Sequence, residues 1–237
     1  MLQIRVAELN IEIDNAYPYL ARQCRDYLAT FERADITVRV TPEEIEEEGR
    51  VNPYSLSPDY LESVCAYRQI AFQLPLFGAI VFHASVVECD GRAYAFAAHS
   101  GTGKSTHTRL WLRVFGDRAR VINGDKPIFR LTEQGWRAYG TPWCGKEKWG
   151  ENASSPLAAL CFLERSPRNR IAPIGNDEAV NRLFGQVLMP SEPETADRFF
   201  ALLDDLIQNT PAYLLGCNME PEAAEVALAG MQKGETI

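Results

Sequence analysis

The chain has 237 residues, of which 24 are Lys or Arg and 32 are Asp or Glu, so its formal net charge is −8, and 46% of its residues are hydrophobic. This composition is typical of a globular protein, and the length is sufficient for one large or two small domains with a hydrophobic core. The acidic balance argues against a general nucleic-acid-binding protein, because phosphate backbones bind to basic surfaces. Phosphate binding would therefore require a local site.

The cysteine pattern and the apolar runs indicate in which cellular compartment the protein is expected. Six cysteines are scattered without a C-x-x-C pair, which argues against a zinc site and favours free thiols in a reducing compartment. The N-terminal segment lacks the basic stretch and apolar run of a secretory signal, and no apolar run reaches the roughly 18–20 residues of a membrane helix. We therefore expect a cytoplasmic protein with neither a membrane partner nor a nucleic-acid partner.

The first 78 residues predict a small α/β region. Alternating apolar and polar residues at 2–13 change phase once, which indicates two short strands or one bulged strand, and a further strand follows at 36–40. Helical spacing is found at 17–28. The Thr41-Pro42 pair predicts the start of a short acidic helix, and another helix is predicted from 58 to about 74.

From residue 79 the pattern changes to apolar, strand-like segments. Runs at 79–87 and 93–98 flank Asp90-Gly91, a dipeptide that favours a tight hairpin, and a second hairpin is predicted over 128–139. Further elements follow in chain order, with strands predicted at 120–122, 157–163 and 213–215 and helices at 178–188, 194–207 and from 221.

The segment AHSGTGKST (98–106) predicts a phosphate-binding loop, because it follows a strand and precedes a helical stretch. Gly101 and Gly103 allow backbone angles that let successive N–H groups converge on phosphate oxygens. Lys104 supplies a cation for the β- and γ-phosphates, and the Ser105 hydroxyl is a suitable ligand for Mg²⁺. The G-x-x-x-x-G-K-[ST] pattern is complete except for Ala98 in place of its first glycine. We expect ATP and Mg²⁺ as cofactors, with the nucleotide bound by Ser100, Gly101, Thr102, Gly103, Lys104, Ser105 and Thr106.

The strand before the loop narrows the class of fold. In ordinary P-loop enzymes that strand lies in a parallel sheet, whereas the Asp90-Gly91 hairpin makes its predecessor antiparallel. Here the sequence resembles the HPr serine kinase/phosphorylase and phosphoenolpyruvate carboxykinase superfamily, on the strength of SGTGKST (100–106) and His83. The resemblance implies an α/β fold of the α+β type, in which helices surround a β-rich, largely antiparallel or mixed sheet. It also implies an HPr kinase-like nucleotide-binding domain at 79–237, either separate from the small region at 1–78 or continuous with it.

Two further residues are candidates for catalysis together with Lys104. A lone His in an apolar strand is ordinarily a core residue, but His83-Ala84-Ser85 resembles an element of the HPr kinase-like proteins, which implies that His83 polarises a phosphoryl oxygen or assists proton transfer. Asp125 follows a predicted strand, where a Mg²⁺ ligand and general base belong, although an Asp there is also ordinary turn chemistry. HPr kinases typically have two adjacent Asp residues, whereas this chain has Gly124 before Asp125. Asp125 would then perform both tasks or share them with His83.

Two segments are candidates for substrate contacts. The loop GTPWCGKE (140–147) is either a surface loop held by Trp143 or a substrate-side loop. In the second interpretation Lys146 neutralises phosphate charge and Glu147 supplements Mg²⁺ or binds substrate. The basic cluster at 165–170 is either solvated or the source of an arginine, Arg168, that reaches the transferred phosphate.

Three functions remain open at this stage. The first is a Mg-ATP-dependent kinase that transfers the γ-phosphate to a hydroxyl, with serine the first candidate, of a protein, peptide or small molecule. The second is a carboxykinase-like phosphotransferase for a small metabolite, although such enzymes are usually much longer. The third is a non-catalytic nucleotide-binding regulatory protein, which the missing second acid favours. The expected partners are a nucleotide and a hydroxyl-bearing acceptor, and the pattern leaves a homo-oligomer open.

Overall fold

The computed structural model describes residues 1–233, and within that range it contains twelve strands and seven α-helices in an α+β arrangement. The strands are β1 Leu2–Val6, β2 Leu9–Asp14, β3 Ile36–Arg39, β4 Ala79–Val81, β5 Ser85–Cys89, β6 Arg92–Ala97, β7 Ala119–Asn123, β8 Ile128–Thr132, β9 Gly135–Tyr139, β10 Ser154–Arg165, β11 Arg170–Pro173 and β12 Ala212–Cys217. The helices are α1 Pro18–Gln23, α2 Pro42–Val51, α3 Pro58–Gln73, α4 Lys104–Phe115, α5 Asn176–Leu183, α6 Pro193–Asn209 and α7 Glu222–Lys233.

A three-stranded sheet, in the order β1-β2-β3, forms near the N-terminus. Ala7 and Glu8 both have positive φ angles, so the chain reverses between β1 and β2, and the change of phase in the sequence marks two strands rather than one bulged strand. Thr41 caps α2 through a reciprocal capping box with Glu44, as the Thr41-Pro42 signal indicates. The helix predicted at 17–28 is shorter than expected, because α1 ends at Gln23 and a 3₁₀ turn follows.

The larger sheet has nine strands, with β4-β8-β9-β10-β6-β5-β7 in order and with β12 beside β10 and β11 beside β12. Among the described strands of this larger sheet, only the pairs β6–β10 and β10–β12 are parallel, so the predicted mixed, largely antiparallel sheet is confirmed. The antiparallel hairpin of β5 and β6 is also confirmed, and both of its turn residues, Asp90 and Gly91, have positive φ angles. Because β6 and β10 are parallel, their carboxyl ends meet at one edge of the sheet.

The single strand predicted at 79–87 is wrong, because the chain breaks there into β4 and β5. β4 pairs with β8, whereas β5 pairs with β6 and β7. Between them the His83 N–H donates to the Gln186 carbonyl at 2.6 Å, and Phe82 forms an isolated bridge with Val187. His83 therefore lies in the break between two strands, not within a strand as predicted.

Hydrophobic clusters lie on both faces of the large sheet. One contains Leu110 and Trp111 of α4 together with residues of α7, and another contains residues of α5 and α6. A third joins the small sheet and α3 to residues beyond position 78, among them Ala79 and Trp143. The division into 1–78 and 79–237 stays a prediction, with apolar packing continuous across position 78. None of the helices within residues 1–233 has the length and apolar character needed to span a membrane.

Candidate functional site

The predicted catalytic and nucleotide-binding residues lie at the edge where β5 begins and where β6, β7 and β10 end. His83 precedes β5, and the glycine-rich loop (98–103) follows β6. Asp125 comes two residues after β7, and Arg165 is the last residue of β10. Strand pairing thus brings together groups that are up to 82 positions apart in the chain.

The glycine-rich loop has the backbone geometry that its two glycines predict. Gly101 has a φ of 79° and Gly103 a φ of 128°, values that residues with a Cβ rarely adopt. Helix α4 begins at Lys104, immediately after Gly103, so its N–H groups and the positive end of its dipole face the loop. Ala98 is not among the described residues with positive φ, which explains why alanine is tolerated at the start of the loop.

Arg165 binds the outside of the glycine-rich loop. Its Nη2 donates to the Gly101 carbonyl at 2.5 Å and its Nε to the Thr102 carbonyl at 3.3 Å. Across a trans peptide the carbonyl and the next N–H point in opposite directions, so the contact with Thr102 turns the Gly103 N–H away from Arg165. The exposed residue Arg168 lies in the following turn, where its backbone pairs with the Ser166 hydroxyl. Its predicted contact with phosphate stays a prediction.

Lys104 lies across the loop that precedes it. Its Nζ donates to the Ala98 carbonyl at 2.8 Å. Burial lowers the pKa of Lys104 below its ordinary value, and the charge of Asp125 partly opposes that effect, so the two groups lie close enough to interact. The first turn of α4 is attached to β5, because the Thr108 hydroxyl donates to the Lys104 carbonyl at 3.0 Å and lies 2.7 Å from the Ser85 hydroxyl.

His83 and Asp125 form a pair, with Nε2 of the histidine 3.1 Å from Oδ1 of the carboxylate. Burial alone would raise the pKa of Asp125, but the hydrogen-bonding contact with His83 and the charges of Lys126 and Lys104 outweigh it and hold that pKa below its ordinary value. Asp125 is therefore ionised at neutral pH. Lys126, whose Nζ lies 4.0 Å from the same carboxylate oxygen, is a neighbour that sequence reasoning missed.

Asn123 holds the turn that carries Asp125. Its Oδ1 accepts the backbone N–H groups of Asp125 and Lys126 at 2.8 and 2.7 Å. Its Nδ2 donates to the carbonyl and hydroxyl oxygens of Thr141, and that hydroxyl in turn donates to the Lys126 carbonyl at 2.7 Å. Asn123 is fully buried, and its role was also missed, although Asn before Gly-Asp is a recognisable turn signal.

Gly124 is the residue at which the sequence resemblance to HPr kinases leads one to expect a further Asp, and the structure leaves little room for a side chain there. Its N–H donates to the Trp149 carbonyl at 2.8 Å. A Cβ at this position would lie 3.1 Å from the Cys144 carbonyl oxygen and 3.3 Å from that of Trp149. Because the 140–150 segment packs closely against the turn, a residue without a side chain is favoured at position 124.

The 140–150 segment is held by the N-terminal region and by α4. The Trp143 indole donates to the Ser63 hydroxyl at 3.0 Å, and its ring packs against Tyr67 with 5.5 Å between centroids. Glu147 lies 3.8 Å from Nη2 of Arg109, so its charge already has a partner on α4. Lys146 is exposed. The predicted substrate contacts of Lys146 and Glu147 stay predictions.

The residues present are compatible with Mg²⁺ bound together with a nucleotide. The described residues contain no cluster of three or more His, Cys, Asp or Glu side chains that could hold a metal by themselves. Nucleotide-associated Mg²⁺ requires only one or two protein ligands, because phosphate oxygens and water complete its shell. The ionised Asp125 and the Ser105 hydroxyl at the start of α4 would supply that number.

Comparison with known proteins yields one family and a distant structural similarity. The profile of the family described as "ScmC: SynChlorMet cassette protein ScmC" matches residues 60–222. The solved structure titled "Structure of the Hpr(Ser) kinase/phosphatase from Coxiella burnetii" is similar with 12% sequence identity and a TM-score of 0.39, covering 65% of this chain and 98% of that chain. No curated protein sequence matches the chain.

Proposed function

The chain belongs to the SynChlorMet cassette protein ScmC family, and we propose that it is an ATP-dependent phosphotransferase of the HPr kinase-like type. In this proposal the 98–106 segment is a P-loop, and the protein transfers the γ-phosphate of Mg-ATP to a hydroxyl of a protein, peptide or small molecule. The supporting observation is a glycine-rich loop at the start of a helix with Lys104 electrostatically coupled to Asp125, which is itself paired with His83.

Nucleotide binding follows from the loop. Backbone N–H groups of Gly101 to Ser105 would contact the phosphates, and Lys104 would leave the Ala98 carbonyl for the β- and γ-phosphates. The Ser105 hydroxyl and Asp125 would hold Mg²⁺, which when bound neutralises the phosphate charge. Arg165 would keep the loop carbonyls turned outward, so that the loop needs little rearrangement on binding.

The transfer step needs a group that accepts the proton of the attacking hydroxyl. Its oxygen forms a bond to the γ-phosphorus, the bond from that phosphorus to the β–γ bridging oxygen breaks, and ADP leaves with the electron pair. The proton passes to the ionised Asp125 carboxylate, and the contact of that carboxylate with His83 keeps it oriented. Lys104 and Lys126 favour the ionised form of this carboxylate before transfer.

A regulatory nucleotide-binding protein is the second candidate, and the packing at Gly124 favours it. With two carboxylates, one would hold the metal and the other would accept the proton. The close approach of the Cys144 and Trp149 carbonyls leaves little room for such a second side chain at position 124. In this alternative the loop binds nucleotide and Asp125 holds only the metal. The two candidates predict the same nucleotide affinity and differ in whether phosphate is transferred.

Calorimetric titration with Mg-ATP and labelling with [γ-³²P]ATP test the proposal together. We expect binding by the wild-type chain, a loss of at least about 10-fold in affinity for Lys104→Ala, since one charged contact contributes roughly 1.5–3 kcal/mol, and no change for Arg113→Ala, which removes an exposed charge from the last turn of the same helix. Unchanged affinity in Lys104→Ala would refute the phosphate-loop assignment. Binding without transfer to any component of a cell extract would favour the regulatory alternative.

A further inference from the structure

A cavity of about 510 Å³ lies beside the glycine-rich loop, between the carboxyl ends of β6 and β10 and helix α5. Ala97 and Leu163 contribute apolar surface to it, and its polar wall includes Glu164, Arg182 and Gln186. His99 and Thr102 of the loop line it as well. The cavity therefore opens directly on the loop that would hold phosphate.

Gln186 contributes to this cavity a buried side-chain oxygen that is unpaired among the described residues. The residue is 6% exposed, and its Oε1 has no hydrogen-bond partner within the described part of the chain. An unpaired buried polar atom costs about 1–3 kcal/mol, so a ligand that donates a hydrogen bond there would remove a penalty. The backbone carbonyl of the same residue accepts the His83 N–H, which connects the cavity wall to the His83–Asp125 pair.

The charges on the wall of the cavity around Arg182 disfavour an anionic ligand. Arg182 lies 2.8 Å from a carboxylate oxygen of Glu164 and 2.8 Å from one of Glu178, so a single guanidinium is shared by two acids. Arg165, the other cation in the lining, is engaged with the loop carbonyls. Beside Arg182 a carboxylate or phosphate would meet two acids and one guanidinium, whereas O–H and N–H groups would find acceptors.

The in-line geometry of phosphoryl transfer places the acceptor opposite the leaving ADP. The loop and the start of α4 would hold the ADP part of the nucleotide, and α4 packs on one face of the large sheet. The cavity instead adjoins α5, which packs on the other face. The cavity thus adjoins the glycine-rich loop on the side of the sheet away from α4, where an acceptor for in-line transfer would bind.

We propose that this cavity is the acceptor-binding pocket and that it selects an uncharged or cationic hydroxyl compound rich in hydrogen-bond donors over dianionic metabolites. This inference rests on the proposed phosphotransferase function, and it separates the kinase from a carboxykinase-like enzyme. Gln186 is a binding residue in it, and the pair formed by Glu164 and Glu178 around Arg182 excludes anions.

Ligand-observed NMR titrations with Mg²⁺ and the non-hydrolysable analogue AMP-PNP test the pocket. The probes are N-acetylserinamide, which is neutral, and 3-phosphoglycerate, which is anionic. We expect N-acetylserinamide to bind the wild-type chain, at least 5-fold weaker binding to Gln186→Met, and unchanged binding to Gln134→Met, the same substitution in the exposed turn between β8 and β9. We expect Glu178→Gln to strengthen 3-phosphoglycerate binding at least 3-fold, because Arg182 loses one of its two acids.

The affinity for AMP-PNP shows whether a negative result contradicts the acceptor pocket or the proposed phosphotransferase function. It should be the same in Gln186→Met as in the wild-type chain, and an equal loss for AMP-PNP and N-acetylserinamide would assign the cavity to the nucleotide and overturn the proposal. Tighter wild-type binding of 3-phosphoglycerate than of N-acetylserinamide, or no dependence of the neutral probe on Gln186, would also overturn it. If the wild-type chain fails to bind AMP-PNP, the proposed function fails, whereas Gln186-dependent binding of N-acetylserinamide would still support a ligand site in the cavity.

Discussion

The two sides of the glycine-rich loop differ in how their charges are held. On the side of β5 and β7, Asp125, His83, Lys104 and Lys126 are partly buried, and their charges influence one another. On the side of β10, the exposed Arg165 donates to the Gly101 and Thr102 carbonyls of the loop. Electrostatic interactions are stronger where water is excluded, so we expect the groups that act on the transferred phosphate on the first side, whereas Arg165 on the second side positions the loop.

Asp125→Asn tests the buried side and carries the largest expected effect. The amide is similar in shape but cannot accept the proton of the attacking hydroxyl, so we expect phosphotransfer to fall by at least about 100-fold. Loss of one metal ligand should weaken Mg-ATP binding far less than it slows transfer. Rates from labelled ATP and affinities from calorimetry would be compared in the same preparation. Wild-type transfer by Asp125→Asn would remove both the metal and the base role from this residue.

The buried side continues beneath the loop at His107, which lies in α4 and is 2% exposed. Its Nε2 accepts the Trp111 indole N–H at 3.0 Å, and burial lowers the pKa of His107 to about 4. The folded pKa is thus below the unfolded value near 6.5, so the unfolded chain binds the extra proton as pH falls from about 6.5 to about 4. Stability should decrease over that interval by up to about 3 kcal/mol.

Urea unfolding at several pH values would measure this effect of His107. His107→Gln retains an acceptor for Trp111 but does not titrate, so its free energy of unfolding should vary less between pH 6.5 and pH 4 than that of the wild-type chain. His99→Gln, a substitution at an exposed position, should retain the wild-type dependence. Identical pH profiles for His107→Gln and the wild-type chain would show that His107 is not buried in its neutral form.

Asn123→Ala tests the same comparison through a residue that is fully buried and that supports the turn carrying Asp125. The substitution removes both hydrogen bonds that orient the Asp125 turn. We expect kcat to fall by about 10-fold, as for other supporting residues behind a ligand, with a much smaller change in the KM for ATP. Asn152→Ala, at an exposed position, is the matched control. A parallel change in kcat and KM, or a loss explained by unfolding alone, would contradict a positioning role.

Local sequence patterns were sufficient for the glycine-rich loop but not for its surroundings. The loop from Ser100 to Ser105 is contiguous, and its backbone follows from its own glycines. The position of Asp125 after a strand was also recognisable. Its partners Lys126 and Asn123 are adjacent in sequence, but hydrogen-bond direction and burial depend on the 140–150 segment, which packs there from elsewhere in the chain.

Contacts between residues far apart in the sequence determine the parts of the site that local patterns did not predict. Arg165 reaches the loop only because β10 runs parallel to β6, a pairing that no local pattern indicates. The break at His83 likewise depends on Gln186, more than a hundred positions later, whose carbonyl accepts the His83 N–H. The predicted helix at 178–188 includes Gln186, whereas α5 ends at Leu183 and a 3₁₀ turn follows. The cavity beside the loop therefore had no recognisable signal in the sequence.

Arg165→Ala tests the exposed side and carries the smallest expected effect. Exposed charged contacts contribute roughly 0.2–1 kcal/mol, so removing this one should weaken Mg-ATP binding by about 2–5-fold. Because Arg165 acts on the shape of the loop, the rate of transfer at saturating ATP should change little. The matched control is Arg168→Ala, which removes the same charge from the adjacent turn without touching the loop, so its ATP affinity should equal that of the wild-type chain.

The pair of arginine variants also decides which side of the loop carries out chemistry. If Arg168→Ala slows transfer strongly while Arg165→Ala does not, an arginine from the β10 side reaches the transferred phosphate, and the contrast between the two sides fails. A loss in Arg165→Ala as large as that in Asp125→Asn would contradict it as well. If only the affinity changes in Arg165→Ala, the result would fit an exposed side that shapes the loop and a buried side that performs the transfer, where the ionised Asp125 interacts with Lys104.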